Sequence, residues 1–199
     1  MSKRLLDIVG ALLALAVAYP VMIAVAMAVR ADSAGPVIFR QRRAGRGGKP
    51  FVMLKFRTMR SDTDPYGVSP AAPGDQRLTR VGRFLRETSL DELPQLFNVL
   101  NGTMSLVGPR PLYERQARLW DGRQRRRLEV APGITGWAQV CGRADLPIED
   151  KIELDVWYVE HASLALDLRI LWRTARSALG GRQGIYERQY SRSGRQERI

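Results

Sequence analysis

The chain has 199 residues, 32 of them Lys or Arg against 20 Asp or Glu, giving a formal net charge of +12 with one cysteine and one histidine. That length holds one domain of ordinary size plus a membrane element and is too short for two full domains with a linker. The lone Cys141 excludes an internal disulfide and a multi-cysteine zinc site, and a Ser-His-Asp mechanism would have to run through His161, whose neighbours Tyr158-Val159-Glu160 contain no nucleophile motif. Arg greatly outnumbers Lys and clusters in Arg40-Gln41-Arg42-Arg43, in Arg123-Gln124-Arg125-Arg126-Arg127 and in the tail after Arg182. Such clusters suit phosphate, anionic lipid or nucleic acid, and charge alone does not choose among them.

From Ile8 to Val29 the chain carries no charge, and a straight helix at about 1.5 Å per residue would span the roughly 30 Å hydrocarbon core. Two features oppose a plain crossing. Tyr19-Pro20 lies mid-segment, where proline removes a backbone hydrogen bond and bends a helix. Lys3 and Arg4 flank one end while Arg30, Arg40, Arg42 and Arg43 follow the other, so the positive-inside rule assigns both ends to the cytoplasm. A bent, re-entrant helix satisfies both features; a tilted membrane helix with a tolerated kink is the competing reading.

Past this segment, Pro36 to Phe39 and Phe51 to Leu54 are β-rich runs around the turn Gly45-Arg46-Gly47-Gly48 and predict a hairpin. Asp62 to Gln76 reads as a loop. Helices are expected over Val81 to Leu85, Asp91 to Leu100, Leu112 to Val130, Ile148 to Tyr158 and Leu164 to Leu179, with Pro132 to Gln139 a binding loop or short strand. The fold class is therefore α+β and predominantly helical, with an N-terminal membrane helix at 1–30, a small β-hairpin and helical domain at the membrane surface over 31–181, and a basic tail at 182–199.

The chemistry concentrates at Arg86-Glu87-Thr88-Ser89-Leu90-Asp91-Glu92-Leu93-Pro94. Ser89 with Glu92 three residues on reads as a capping box, and Asp91 as N-cap is the alternative that leaves Pro94 at little cost. Either way two carboxylates stand at a helix start, where the helix dipole stabilises negative charge and attracts phosphate oxygens. An ionised Asp91 there suits a nucleophile or a magnesium ligand, although an ordinary capping acid pair is the commoner use of this pattern. Arg110, bracketed by Pro109 and Pro111, is rigidly presented and suits phosphate. Lys55 and Arg57 are two cations at a strand end, a position usually solvated. No Walker loop is present, which argues against a P-loop kinase.

In order, Lys55 to Met59, Thr88 to Gln95, Met104 to Pro111, Pro132 to Val140 and Glu153 to Tyr158 resemble the bacterial sugar transferase family, the monotopic polyprenyl-phosphate phosphoglycosyl transferases. The resemblance covers nearly the whole chain and is that of a minimal catalytic unit. It implies transfer of a sugar-1-phosphate from a UDP-sugar to undecaprenyl phosphate, with UMP released and Mg2+ required. By the same resemblance Asp91 and Glu92 are the catalytic dyad and metal ligands, Asp91 forming a covalent phosphosugar intermediate. Arg86 and Arg110 would brace phosphate charge, with Lys55, Arg57 and Arg143 as further phosphate-binding candidates.

The family's re-entrant helix breaks at Ser-Pro, where this chain has Tyr19-Pro20 without the hydroxyl that satisfies a freed carbonyl. Cys141 stands where the family pattern more often has Asn. The expected setting is the bacterial inner membrane with the catalytic domain facing the cytoplasm. The expected partners are donor, lipid acceptor and membrane, without nucleic acid. The sequence leaves room for a homodimer through the membrane helix or through Ile148 to Leu179. A non-catalytic, membrane-anchored basic binding or scaffold protein is the competing function, and it leaves Asp91-Glu92 beside Arg86 unexplained.

Overall fold

The computed structural model describes residues 2–67, 69–70, 72–142 and 146–179; Arg143 and the basic tail at 182–199 lie outside the described residues. Helix α1 runs from Lys3 to Asp32 and continues through Tyr19 and Pro20. One stripe faces the body: Ala11, Leu15, Met22, Val25 and Val29 pack on Phe51, Met53, Phe56, Leu85, Leu96, Val99 and Met104. The other face leaves Leu12, Leu13, Val17, Ile23 and Met27 exposed. By length and composition α1 is the one helix among the described residues able to cross a membrane.

Both ends of α1 are tied to that body. Near its start, Lys3 Nζ donates to Asp167 Oδ2 (2.6 Å) and to the carbonyl of Val107 (2.9 Å), while buried Asp7 accepts from Ser105 Oγ (2.9 Å) and the Leu106 amide (2.8 Å). At its far end Asp32 accepts from the Val81 amide (2.9 Å).

Strands β1 (Ile38–Ala44) and β2 (Pro50–Phe56) form the expected antiparallel hairpin, Ile38 opposite Phe56 and Ala44 opposite Pro50. Both strands outrun their apolar cores, because pleating alternates the charged run of β1, with buried Gln41 between the exposed Arg40 and Arg42. Helix α2 (Arg80–Thr88) follows, then a 3-10 turn at Leu90–Glu92 and α3 (Gln95–Leu100). Buried Asn98 of α3 clamps β2, accepting from the Leu54 amide (3.0 Å) and donating to the Val52 carbonyl (2.8 Å). That clamp sets the next residue, Lys55, against the 3-10 turn.

The capping box expected at Ser89 is not formed. Ser89 is instead the left-handed C-cap of α2 (φ 58°), its side chain capping nothing. The single helix expected over Asp91 to Leu100 is split because Pro94, lacking an N–H, starts a new helix. The helix expected over Leu112 to Val130 likewise divides into α4 (Glu114–Arg118), α5 (Gly122–Arg125) and a 3-10 turn at Arg126–Leu128. Asp121 causes the break, since it accepts from the Gln124 amide (2.7 Å) while Gln124 reaches back to its own amide (3.3 Å).

A second, parallel pair joins β3 (Ser105–Val107) to β4 (Gly133–Thr135). It rests on bare backbone contact: a Cβ on Gly133 would lie 2.1 Å from the Gly108 nitrogen. Helices α6 (Trp137–Cys141), α7 (Ile148–Glu160) and α8 (Leu164–Leu179) complete the body. His161 stacks on Trp157 with ring centroids 4.3 Å apart.

Helix α2 lies directly on the backbone at Thr58, where a Cβ on Gly82 would stand 2.0 Å from the Thr58 carbonyl oxygen. Backbone cannot yield as a side-chain tip does, so Gly82→Ala is expected to destabilise by about 2–3 kcal/mol. Because Thr58 also holds Arg86, transfer activity should fall with it. A urea unfolding midpoint unchanged from wild type would contradict this packing.

Candidate active site

Asp91 and Glu92 lie in the 3-10 turn directly after Ser89, the one non-glycine residue of positive φ among those described. The left-handed residue reverses the chain sharply and turns Asp91 inward, to 6% exposure. No long helix begins at the dyad, so the helix dipole invoked from sequence is not what stabilises its charge. Side-chain cations do that instead.

Glu92 Oε1 accepts from Lys55 Nζ (2.8 Å) and Arg110 NH2 (3.0 Å). Burial pushes its carboxyl upward, but Arg110 and Lys55, by charge and hydrogen bond, outweigh burial and hold it well below the usual carboxylate range. Asp91 accepts no hydrogen bond from any described residue. Burial raises it to about 6; Lys55 opposes this, the charge of Glu92 adds to it, and Arg86 and Arg110 pull back. Two adjacent carboxyls thus differ in kind, one locked as an anion and one poised and unencumbered.

Arg86 in the last turn of α2 is held by Thr58 Oγ1 (2.9 Å) and Ser69 Oγ (3.4 Å). Arg110 is fixed from behind: the parallel strands bracket its loop, with the Gly133 amide donating to the Pro109 carbonyl (2.9 Å). Arg127 NH2 donates to the Arg110 carbonyl (2.8 Å). Lys55, Arg86, Asp91, Glu92 and Arg110 all line one cavity of about 980 Å³.

Arg57 is placed differently from the other cations. It is 5% exposed, and its guanidinium donates to Ser33 O (2.7 Å), Ser33 Oγ (3.0 Å), Ser61 Oγ (2.6 Å) and Ala34 O, so its hydrogen bonds serve the C-terminal end of α1. Arg143 lies outside the described residues. The pair Asp91 and Glu92 could hold a magnesium ion that a diphosphate brings with it, since such ions take one or two protein carboxylates and keep phosphate and water as the rest. Among the described residues no three His, Cys, Asp or Glu side chains gather to bind a metal without a substrate.

Arg127, Asp155 and Gln139 also line this cavity, although none of them stands out singly in the sequence as a site residue. Arg127 belongs to a cluster whose charge suits phosphate, anionic lipid or nucleic acid, yet it is 3% exposed and paired with Asp155. The available signal was Asp155 itself, an acid sharing a helical face with Ile152 and Val156.

The profile of the family described as "Bacterial sugar transferase" matches residues 1–181. An "Uncharacterized sugar transferase EpsL" of Bacillus subtilis is 48% identical over 177 residues, covering 89% of this chain and 87% of the relative. A UDP-glucose:undecaprenyl-phosphate glucose-1-phosphate transferase of Xanthomonas campestris pv. campestris is 46% identical over 189 residues, 90% of this chain and 39% of the relative. A UDP-N-acetylgalactosamine-undecaprenyl-phosphate N-acetylgalactosaminephosphotransferase of Aeromonas hydrophila is 42% identical, covering 90% and 44%. The chain thus spans less than half the length of these last two.

Proposed function

Since this chain belongs to the bacterial sugar transferase family, we propose that it transfers a sugar-1-phosphate from a UDP-sugar to undecaprenyl phosphate through a covalent intermediate on Asp91. The observation that carries this reading is the contrast within the dyad: a buried Asp91 without a hydrogen-bond partner beside a Glu92 neutralised by Lys55 and Arg110. A purely structural acid at such depth would be hydrogen-bonded or paired.

In the first step an Asp91 carboxylate oxygen attacks the β-phosphorus of the donor. The bond from that phosphorus to the α,β-bridging oxygen breaks, and UMP leaves with the electron pair. In the second, an oxygen of the lipid phosphate attacks the same phosphorus, the Asp91–phosphorus bond breaks, and the carboxylate is regenerated. Dividing the reaction spares two phosphate-bearing substrates from occupying the site together. Arg86 and Arg110 are placed to take up charge on the phosphoryl oxygens, and Lys55 keeps Glu92 ionised. Magnesium, bound through Asp91 and Glu92, would supply charge neutralisation on the diphosphate.

The outward face of α1 supports a membrane seat. Each large apolar side chain left in water forgoes roughly 1.5–3 kcal/mol of burial, and this face carries at least five. Both ends of α1 are held by one body and both are basic, which favours a helix that enters and returns on the cytoplasmic side of the inner membrane.

The test uses detergent-solubilised protein with magnesium and a panel of UDP-sugars. With the matching donor and no lipid, about one UMP per protein should be released in a burst, and the intact protein should gain the mass of one sugar phosphate. Undecaprenyl phosphate should then convert the burst to turnover, and EDTA should stop it. Turnover that requires lipid from the first UMP onward, with no adduct, would replace the two-step scheme by direct displacement.

A further inference from the structure

Among the described residues, every side-chain nitrogen or oxygen that is wholly closed to solvent and without a hydrogen-bond partner belongs to a residue lining the dyad's cavity: Arg57 Nε, Arg127 Nε and NH1, Asp155 Oδ1, and both amide atoms of Gln139. Orphaned buried polar atoms are rare because each forfeits its hydrogen bond to water without replacement. All four residues line that cavity, so turning the side chains of its wall toward an occupant would give these enclosed atoms the partners they lack.

Arg57 lies at the end of α1, but the other three share a wall built from the 3-10 turn at Arg126–Leu128, α6 and α7. Neighbouring hydroxyls on this wall are already used: Thr135 and Thr174 bond each other (2.8 Å), and Thr174 donates onward to the Ile170 carbonyl (2.9 Å). The open groups are therefore an amide carrying both donor and acceptor, a guanidinium donor and a carboxylate acceptor. Hydroxyls, each able to donate and accept, match that set.

The wall adjoins the reacting phosphate through Arg110, whose side chain holds Glu92 and whose carbonyl accepts from Arg127. In a nucleotide sugar, the group bonded directly to the attacked phosphoryl is the sugar, whereas the base lies beyond the ribose and the other phosphate. We propose that Gln139, Asp155 and Arg127 form the subsite that holds the hydroxyls of the donor's sugar, with Gln139 as a specificity-determining residue. The proposal rests on the transferase reading for the donor's identity, but its test does not depend on turnover.

Equilibrium binding is measured on Asp91→Asn protein, in which chemistry is off, with UDP, UDP-glucose and UDP-N-acetylgalactosamine as ligands. At least one nucleotide sugar should bind tenfold or more tightly than UDP. Adding Gln139→Met, close to Gln in length, should cut that advantage to about twofold while leaving UDP binding unchanged. Its thermal midpoint should stay level or rise, since an orphaned amide is replaced by apolar atoms; Gln139→Leu serves as the second variant. Equal weakening of UDP and UDP-sugar would assign Gln139 to the nucleoside and overturn the proposal, as would unchanged discrimination or no sugar advantage in the parent. Wild type that releases no UMP with lipid would defeat the transferase reading while leaving this comparison intact.

Discussion

Asp91→Asn is expected to lower lipid-dependent UMP release by at least about 10⁴-fold, because an amide cannot replace the nucleophile. Glu92 cannot substitute, being pinned by Lys55 and Arg110. The same variant should make the protein more stable at neutral pH. Folding raises the Asp91 carboxyl from 3.8 to about 6, so the folded state binds its proton more tightly than the unfolded chain does. Stability contributed by this group is therefore present at low pH and is lost as pH rises from about 4 to about 6. Two pH units correspond to about 3 kcal/mol as an upper bound. In EDTA, Asp91→Asn should thus exceed wild type by about 2–3 kcal/mol above pH 6.5 and match it near pH 4. Urea titrations at both pH values, run beside the UMP assay, check it. A variant that keeps activity within tenfold would remove Asp91 as the nucleophile. One that is less stable at neutral pH would show that burial does not burden the carboxylate.

Arg127→Met is expected to destabilise the protein by about 3–5 kcal/mol, since it strips the buried Asp155 carboxyl of its cation. It also removes the donor to the Arg110 carbonyl and a guanidinium 4.8 Å from the Trp120 ring centroid. Burial pushes Asp155 up to about 6 even with Arg127 beside it, so without Arg127 the acid should take up a proton at neutral pH. The double variant Arg127→Met/Asp155→Leu should recover stability to within about 1 kcal/mol of wild type, as replacing both partners of a buried pair by apolar groups often does. Recovered stability with lost UDP-sugar discrimination would separate the pair's two duties. A single variant that loses less than about 1 kcal/mol would mean that the pair does not hold this wall.

Much of the architecture is legible along the chain. The uncharged run inside α1, the alternating hairpin and the helical period of α7 and α8 are local patterns of hydrophobicity, and each element answers to its own residues. The single helices expected over Asp91 to Leu100 and over Leu112 to Val130 are each divided, because Pro94 and Asp121 are local breakers whose effect outweighs the surrounding apolar spacing. The parallel pairing of Ser105–Val107 with Gly133–Thr135 had no local signal, since it depends on two glycines meeting backbone to backbone.

For the site, the sequence by itself determined which residue types were available and in what order: two adjacent carboxylates, an arginine five residues before them and another between prolines. Only the tertiary structure decided their electrostatics. Lys55 reaches Glu92 from a strand clamped by Asn98, Arg57 turns to the end of α1, and Arg127, one of a run of arginines, is buried against Asp155. The physical reason is that a carboxyl's charge state depends on desolvation and on cations within a few ångströms, and both are set by chain segments far apart in sequence.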